Sequence, residues 1–277
     1  MSKRRCLAAA FLLIFVLAMG ATLAPAADDP AATNPDWHVN GAYLRKAVSD
    51  VVAVGTAPVR WDGSDLLKFA AFAGATGLIF AFDRDIYDWV QDHKTAASID
   101  ASKVISKFGN GAYLAGFLAV LYGSGEIFDS RPLRKTALVG VESFLAASAV
   151  ITVIKIVAGR ARPYSGEGPY SFHPFSFKGK YVSLASADAA TAFAVATTID
   201  EQSDSFWIDA LAYTAAGLAA VYRVHDQKHW PSDVFAGSVI GIFTARAINA
   251  LNKDGSGVQV SFQAGGDRSA VTLLFAF

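Results

Sequence analysis

Two stretches of this chain set cations beside strongly apolar runs. The first is Lys155-Ile156-Val157-Ala158-Gly159-Arg160-Ala161-Arg162-Pro163. The second is Arg223-Val224-His225-Asp226-Gln227-Lys228-His229-Trp230-Pro231-Ser232-Asp233. A cation next to an apolar helix is unfavourable unless it holds an anion or pairs with a carboxylate. Phosphate is the anion that fits. Lys155, Arg162 and Arg223 bring three positive charges to the roughly two negative charges of a phosphate monoester. Arginine suits this work because its planar fork binds phosphate oxygens in pairs. The plainer reading of each residue is a helix-end cation or a salt bridge, and for Lys155 a snorkelling side chain.

His229 is the candidate nucleophile. A neutral imidazole attacks phosphorus through one nitrogen only while the other carries the proton. Asp233, four residues on, is read as sharing a helical face with His229. It would accept that N–H, fix the tautomer and stabilise a phosphohistidine. Pro231 is at home in a first helical turn and sets the pair at a helix start. A His–Asp capping pair is the alternative. His225 reads as a surface residue, and His173 as lying outside the site.

Ser186 and Asp188 open an alanine-rich segment. Serine is a favoured N-cap, and free amides at a helix start bind phosphate. The same amides favour an ionised carboxylate in the first turn, so Asp188 reads as a helix-end carboxylate rather than a proton donor. In the alternative, burial or substrate charge raises its pKa and lets it act as the acid.

The elements that must position these residues are helices. Six apolar segments have helical length, at about 65–82, 111–128, 136–158, 188–199, 205–222 and 233–251. Alanine and glycine are abundant in them, which permits close helix approach, and strand-like alternation is absent. The pattern predicts an all-α, six-helix bundle within residues 62–252. Residues 136–158 are long enough to span a membrane although Glu142 and Lys155 interrupt the run, whereas 188–199 are too few. Residues 27–61 read as an N-terminal arm with one short amphipathic helix near 41–53. The connection 159–186 is long enough to suggest that it lines the site. Residues 257–277 alternate apolar and polar types around Ala264-Gly265-Gly266-Asp267 and read as a short C-terminal β-hairpin.

Lys3, Arg4 and Arg5, the apolar run 7–19 and Ala24-Pro25-Ala26 read as a secretory signal over residues 1–26, with an uncleaved membrane anchor as the alternative. The one cysteine, Cys6, lies inside it, so the processed chain has no disulfides. Removal of the signal takes 24 basic residues to 21 against 24 acidic ones. That balance argues against nucleic acid as a partner, while 53% apolar residues and a mean hydropathy of +0.34 favour a membrane. No metal-ligand spacing and no Walker-type loop is visible, so neither a metal nor a cofactor is expected.

Lys155…Arg162-Pro163 and Arg223…His229…Asp233 together resemble the type 2 phosphatidic acid phosphatases, which share a fold with bacterial acid phosphatases and vanadium haloperoxidases. That family shows Lys-x6-Arg-Pro, then Pro-Ser-Gly-His, then Ser-Arg-x5-His-x3-Asp. The resemblance covers roughly residues 62–250. It implies a six-helix bundle and a phosphohistidine phosphatase of lipid phosphates or small phosphate esters. It assigns His229 as nucleophile, Asp233 as its orienting partner, and Lys155, Arg162, Ser186 and Arg223 as substrate-binding. Tyr222 stands in place of the third motif's serine. In the middle motif Ala185 replaces proline, Ala187 replaces glycine, and Asp188 occupies the place of the histidine that protonates the leaving group. The resemblance therefore leaves two functions open: a phosphatase, and a non-catalytic relative that binds anionic headgroups or serves as an envelope scaffold. Vanadate-dependent halide oxidation is disfavoured by the same missing histidine. The implied location is the bacterial inner membrane with a periplasmic site, or the periplasm. Oligomeric state is left open.

Overall fold

A computed structural model of the chain describes residues 36–253 and the backbone of two strands beyond them. The expected signal, residues 1–26, lies outside the described residues. Among those residues the chain forms nine α-helices. They are α1 (Gly41–Gly55), α2 (Gly63–Ala81), α3 (Asp83–Asp92), α4 (Ala96–Ile105), α5 (Gly111–Ile127), α6 (Arg131–Ala158), α7 (Ala187–Gln202), α8 (Phe206–His225) and α9 (Pro231–Leu251). Each of the six apolar segments is a helix, and so is the segment near 41–53. The expected count of six nevertheless falls short, because α3 and α4 were not anticipated. Both are only ten residues long, α3 is mostly polar, and α3 starts where α2 ends, with Phe82 serving as C-cap of one and N-cap of the other. Strands β1 (Val258–Gly265) and β2 (Arg268–Phe275) pair antiparallel, Val258 opposite Phe275.

α7 is the innermost helix, packed against α6, α8 and α9. Alanine makes this close packing feasible: Ala190 and Ala194 of α7 meet Ala147 and Ile151 of α6 and Ala236 and Ala245 of α9. Two glycines of α9 carry the idea furthest. A Cβ at Gly237 would overlap the Ser186 carbonyl, and one at Gly241 would overlap that of Ala190. The start of α7 is thus pressed against the start of α9, and the Ser186 amide donates to the Asp233 carbonyl at 2.9 Å.

A polar knot ties α1 to α6 and α9. Glu142, fully buried in α6, accepts from Asn252 at 2.9 Å, and Asn252 also donates to Asp50 of α1. Lys46 of α1 joins Asp50 and the Asn252 amide oxygen. Glu142, which interrupts the apolar run in the sequence, is thus tied through Asn252 to α1, while its Oε1 stays buried without a hydrogen-bond partner.

Among the described residues three helices, α2, α6 and α9, are long and apolar enough to cross a membrane. A fourth span arises if the bent pair Ala96–Gly109 and Gly111–Ile127 counts as one. The apolar face of α2 points outward, with Leu66, Leu67 and Leu78 exposed. Such surface is unfavourable in water and suited to lipid. α7 does not qualify as a span and instead fills the interior.

The connection 159–186 is built from backbone hydrogen bonds to itself. Gly159 ends α6 with φ +60°, and a Cβ there would overlap the His173 carbonyl. Ala161 donates to Ser171, Arg162 to Lys180, and Ser183 to the Arg160 carbonyl. These bonds fix the chain on both sides of Val182.

Candidate active site

Four segments meet where α6, α8 and α9 end or begin. Lys155 comes from the last turn of α6 and Arg162 from the loop after it. Arg223 comes from the last turn of α8. His229 lies just before the N-cap of α9, Trp230. Lys155 Nζ donates to the Val182 carbonyl at 2.6 Å, and Arg162 Nη2 approaches the same oxygen at 3.5 Å. The Nε atoms of Arg162 and Arg223 are buried and have no hydrogen-bond partner. A buried, unpaired guanidinium donor is unfavourable, and a bound oxyanion removes the penalty. Burial lowers the Arg162 pKa, a second penalty that an anion relieves.

His229 is 2% exposed. Its Nδ1 lies 2.8 Å from the Ser183 carbonyl oxygen. A carbonyl only accepts, so Nδ1 carries the proton and Nε2 has the free lone pair. Asp233 Oδ2 is 3.8 Å from Nδ1. The imidazole N–H thus has a backbone carbonyl as its nearer acceptor, with the expected Asp233 carboxylate behind it at ion-pair range. The reason is that His229 precedes α9, so helical i,i+4 spacing does not apply to the pair. Asp233 instead accepts from the Trp230 amide at 2.9 Å, from the Ser183 hydroxyl, and from Arg160 Nη1 at 2.6 Å.

Burial, reinforced by Lys155 and Arg162, pushes the His229 imidazole down to about 3. The ring is therefore neutral at physiological pH. The unfolded chain takes up this proton near the ordinary 6.5, the folded chain only near 3. This group's contribution to stability is complete above 6.5, declines as pH falls between the two values, and is level below about 3. Nitrogen-15 NMR of histidine-labelled protein checks both points. His229 is expected to appear as the Nδ1–H tautomer without titrating between about pH 5 and pH 8. A midpoint near the ordinary histidine value would contradict the burial argument.

Behind Asp233 lies a buried network absent from the sequence-based expectations. Arg160 is fully buried and bridges Asp233 to Asp83, the first residue of α3. Its Nη1 also reaches the Ser232 hydroxyl at 2.9 Å, and its Nε the Pro169 carbonyl at 2.9 Å. Ser232 returns both its amide and its hydroxyl to Asp83. Phe80 and Trp230 flank the guanidinium at 4.6 and 5.8 Å.

Ser186 caps α7, its Oγ accepting from the Ala189 amide at 3.3 Å. Asp188, in the first turn of α7, forms an ion pair with Arg223 at 2.8 Å. His225 is buried rather than on the surface, bonded to Asp226 and Ser98. His173 stacks on Tyr181 and bonds to Glu167. Hydrogen bonds from Lys180 and His173 pull Glu167 down to about 2. The site thus gathers Lys155, Arg162, Arg223, His229, Asp233 and Asp188, with Ser186 beside them.

Residues 137–255 match the PAP2 superfamily model. The match covers less than half of the chain and spans both of the motifs from which the resemblance was read. A lipid A 1-phosphatase of Porphyromonas gingivalis is 37% identical over 78 residues, 27% of this chain and 18% of that protein. The chain thus spans less than a fifth of the length of the curated relative it matches. A PAP2-type phosphatidylglycerolphosphate phosphatase from Bacillus subtilis has a similar fold. Its TM-score is 0.52 at 17% identity, covering 75% of this chain and 96% of that one. LpxE of Aquifex aeolicus aligns with TM-score 0.49 and 19% identity over 60% of this chain and 93% of its own.

The PAP2 match ends before β1 and begins within α6, so Asp83 lies outside it. Arg160 had a visible signal, as a third cation in the first motif with no phosphate oxygen left to explain it. Asp83 and Ser183 had none, because their importance comes only from contacts far apart in sequence.

Proposed function

We propose that this chain hydrolyses phosphate monoesters of lipids through a phosphohistidine on Nε2 of His229. The observation that carries the reading is the pair of unpartnered, buried Nε donors on Arg162 and Arg223, gathered with Lys155 around a neutral imidazole of defined tautomer. Lys155, Arg162 and Arg223 hold the equatorial oxygens, where charge accumulates. Nε2 attacks phosphorus in line as the bond to the ester oxygen breaks, and the departing oxygen takes a proton from solvent water. The imidazole then bears positive charge, and the Ser183 carbonyl keeps its Nδ1–H in place. Arg160 between two carboxylates leaves one net negative charge behind the ring, which stabilises that cation. Water finally attacks the phosphohistidine and releases phosphate. Asp233 acts as a positioning residue through Ser183 and the backbone of Trp230.

The apolar outer helices and the lipid phosphatase among the relatives support a membrane-bound substrate. Residues 1–26 would export the chain and place the site on the periplasmic face of the inner membrane. The headgroup-binding, non-catalytic alternative draws on one observation, the ion pair by which Asp188 occupies Arg223. Detergent-purified full chain assayed with phosphatidate and p-nitrophenyl phosphate decides between them. Steady release of phosphate from either supports the phosphatase. Vanadate binding without turnover of either establishes the binding protein.

A further inference from the structure

The two faces of α3 meet different surroundings. Its inner face carries Asp83, Tyr87 and Gln91, spaced by one helical turn. Asp83 holds Arg160 and Ser232. The Tyr87 ring lies 5.1 Å from that of Trp230. Gln91 donates to the Val224 carbonyl at 3.1 Å and accepts from Gln227 at 3.1 Å. All of these contacts go to the two cationic segments. Asp83 reaches the start of α9 and Gln91 the end of α8, so α3 runs across the end of the bundle rather than along it.

The outer face carries Phe82, Ile86 and Trp89, all exposed. With Leu78 and Ile79 of α2 they line an open groove of about 490 Å³, whose one charged lining residue is Asp85. The groove continues the outward apolar face of α2. α2 has 19 residues, about the length that crosses a hydrocarbon core, and α3 begins two residues past its end. At ten residues α3 is too short to cross by itself. It therefore stands at the level where the span of α2 finishes.

We propose that α3 lies in the plane of the membrane–water boundary. Phe82, Ile86 and Trp89 dip among the acyl chains just below the headgroups, beside α2, and the helix thereby sets the depth of the site that its inner face holds. Tryptophan suits that level, since its ring is apolar and its N–H is polar. The attraction is apolar rather than electrostatic. Asp85, Asp88 and Asp92 are exposed on α3 against one base, Arg84, and such a helix is not drawn to anionic lipid. The seating of α3 holds whatever reaction the site performs.

The experiment reads Trp89 emission from the full-length protein in phosphatidylcholine vesicles, as the difference between native and Trp89→Phe. Bromine on the acyl chain close to the headgroup should quench this emission strongly, bromine near the chain end weakly, and aqueous iodide hardly at all. The ratio of the two bromine effects should place the ring about 5–10 Å into the headgroup and acyl boundary. High salt should leave the quenching unchanged, because it screens charges and not apolar contact. Quenching by iodide alone would put α3 in water. Resistance to all three quenchers would mean that another protein or a second copy covers it. Stronger quenching by the deep bromine would make it part of a span. Each of these results overturns the proposal, as does loss of bromine quenching at high salt. Should Trp89→Phe not fold, phosphatidylcholine with a photoreactive group beside its headgroup can label the native chain. Adducts are expected within residues 82–93 as well as at the end of α2, and adducts on α2 alone overturn the proposal. No turnover is needed for any of these measurements, so a chain without phosphatase activity answers equally well.

Discussion

His229→Ala is expected to lower turnover by about 10⁴–10⁶-fold, the scale seen when an enzyme loses its covalent nucleophile. Nothing else nearby takes over, because the remaining histidines are engaged elsewhere. The oxyanion cradle is built by Lys155, Arg162 and Arg223 and does not depend on the imidazole. Vanadate should therefore still bind to the variant, while the acid-labile phosphoenzyme disappears. That separation distinguishes a lost nucleophile from a collapsed site. Residual turnover within about tenfold of the native rate would rule out covalent catalysis at this residue.

Arg160→Met should destabilise the fold by about 3–5 kcal/mol, the penalty for removing one member of a buried charge network. Asp83 and Asp233 are both fully buried and share this one guanidinium. Without it, two carboxylates lose their counter-ion in an environment that resists free charge. For a chain of this size the loss corresponds to a drop in Tm of roughly 10 °C. Adding Asp83→Asn to Arg160→Met should recover part of it, because one of the stranded charges is then gone. Thermal unfolding of the two single variants and the double variant in the same detergent gives the coupling directly. A Tm for Arg160→Met within about 2 °C of native would show that the network carries little stability. Activity should fall as well, since Asp233 holds the Trp230 amide and the Ser183 hydroxyl that frame His229.

The chemistry was more legible in the sequence than the way it is held. Lys155, Arg162, Arg223 and His229 were readable because cations and a histidine beside apolar helices need a reason to be there. The long helices were readable because an apolar run of sufficient length has few alternatives. α3 escaped notice because Asp-Arg-Asp-Ile-Tyr-Asp-Trp-Val-Gln-Asp is mostly polar, with its apolar residues thinly spread. The nearer partner of His229 was missed for a geometric reason, although Asp233 also stands within 3.8 Å of the ring. Four-residue spacing makes neighbours only inside a helix, and this histidine stands outside one. Its true acceptor, the Ser183 carbonyl, is 46 residues away. Arg160 and Asp83 are 77 residues apart and give no local pattern. Close approach at Gly237 and Gly241 was foreseeable only as a general abundance of small residues.

The knot around Glu142 bears on the order in which the protein is built. Glu142 sits in the middle of a helix long enough to span a bilayer, and its partner Asn252 is synthesised 110 residues later. Until α9 has emerged, the hydrogen-bond partner of this acid does not yet exist. Lys46 of α1 is already made by then and is the nearby cation that attracts this carboxylate. The hydrogen bond that satisfies Glu142 is therefore complete only once the C-terminal end of α9 is in place.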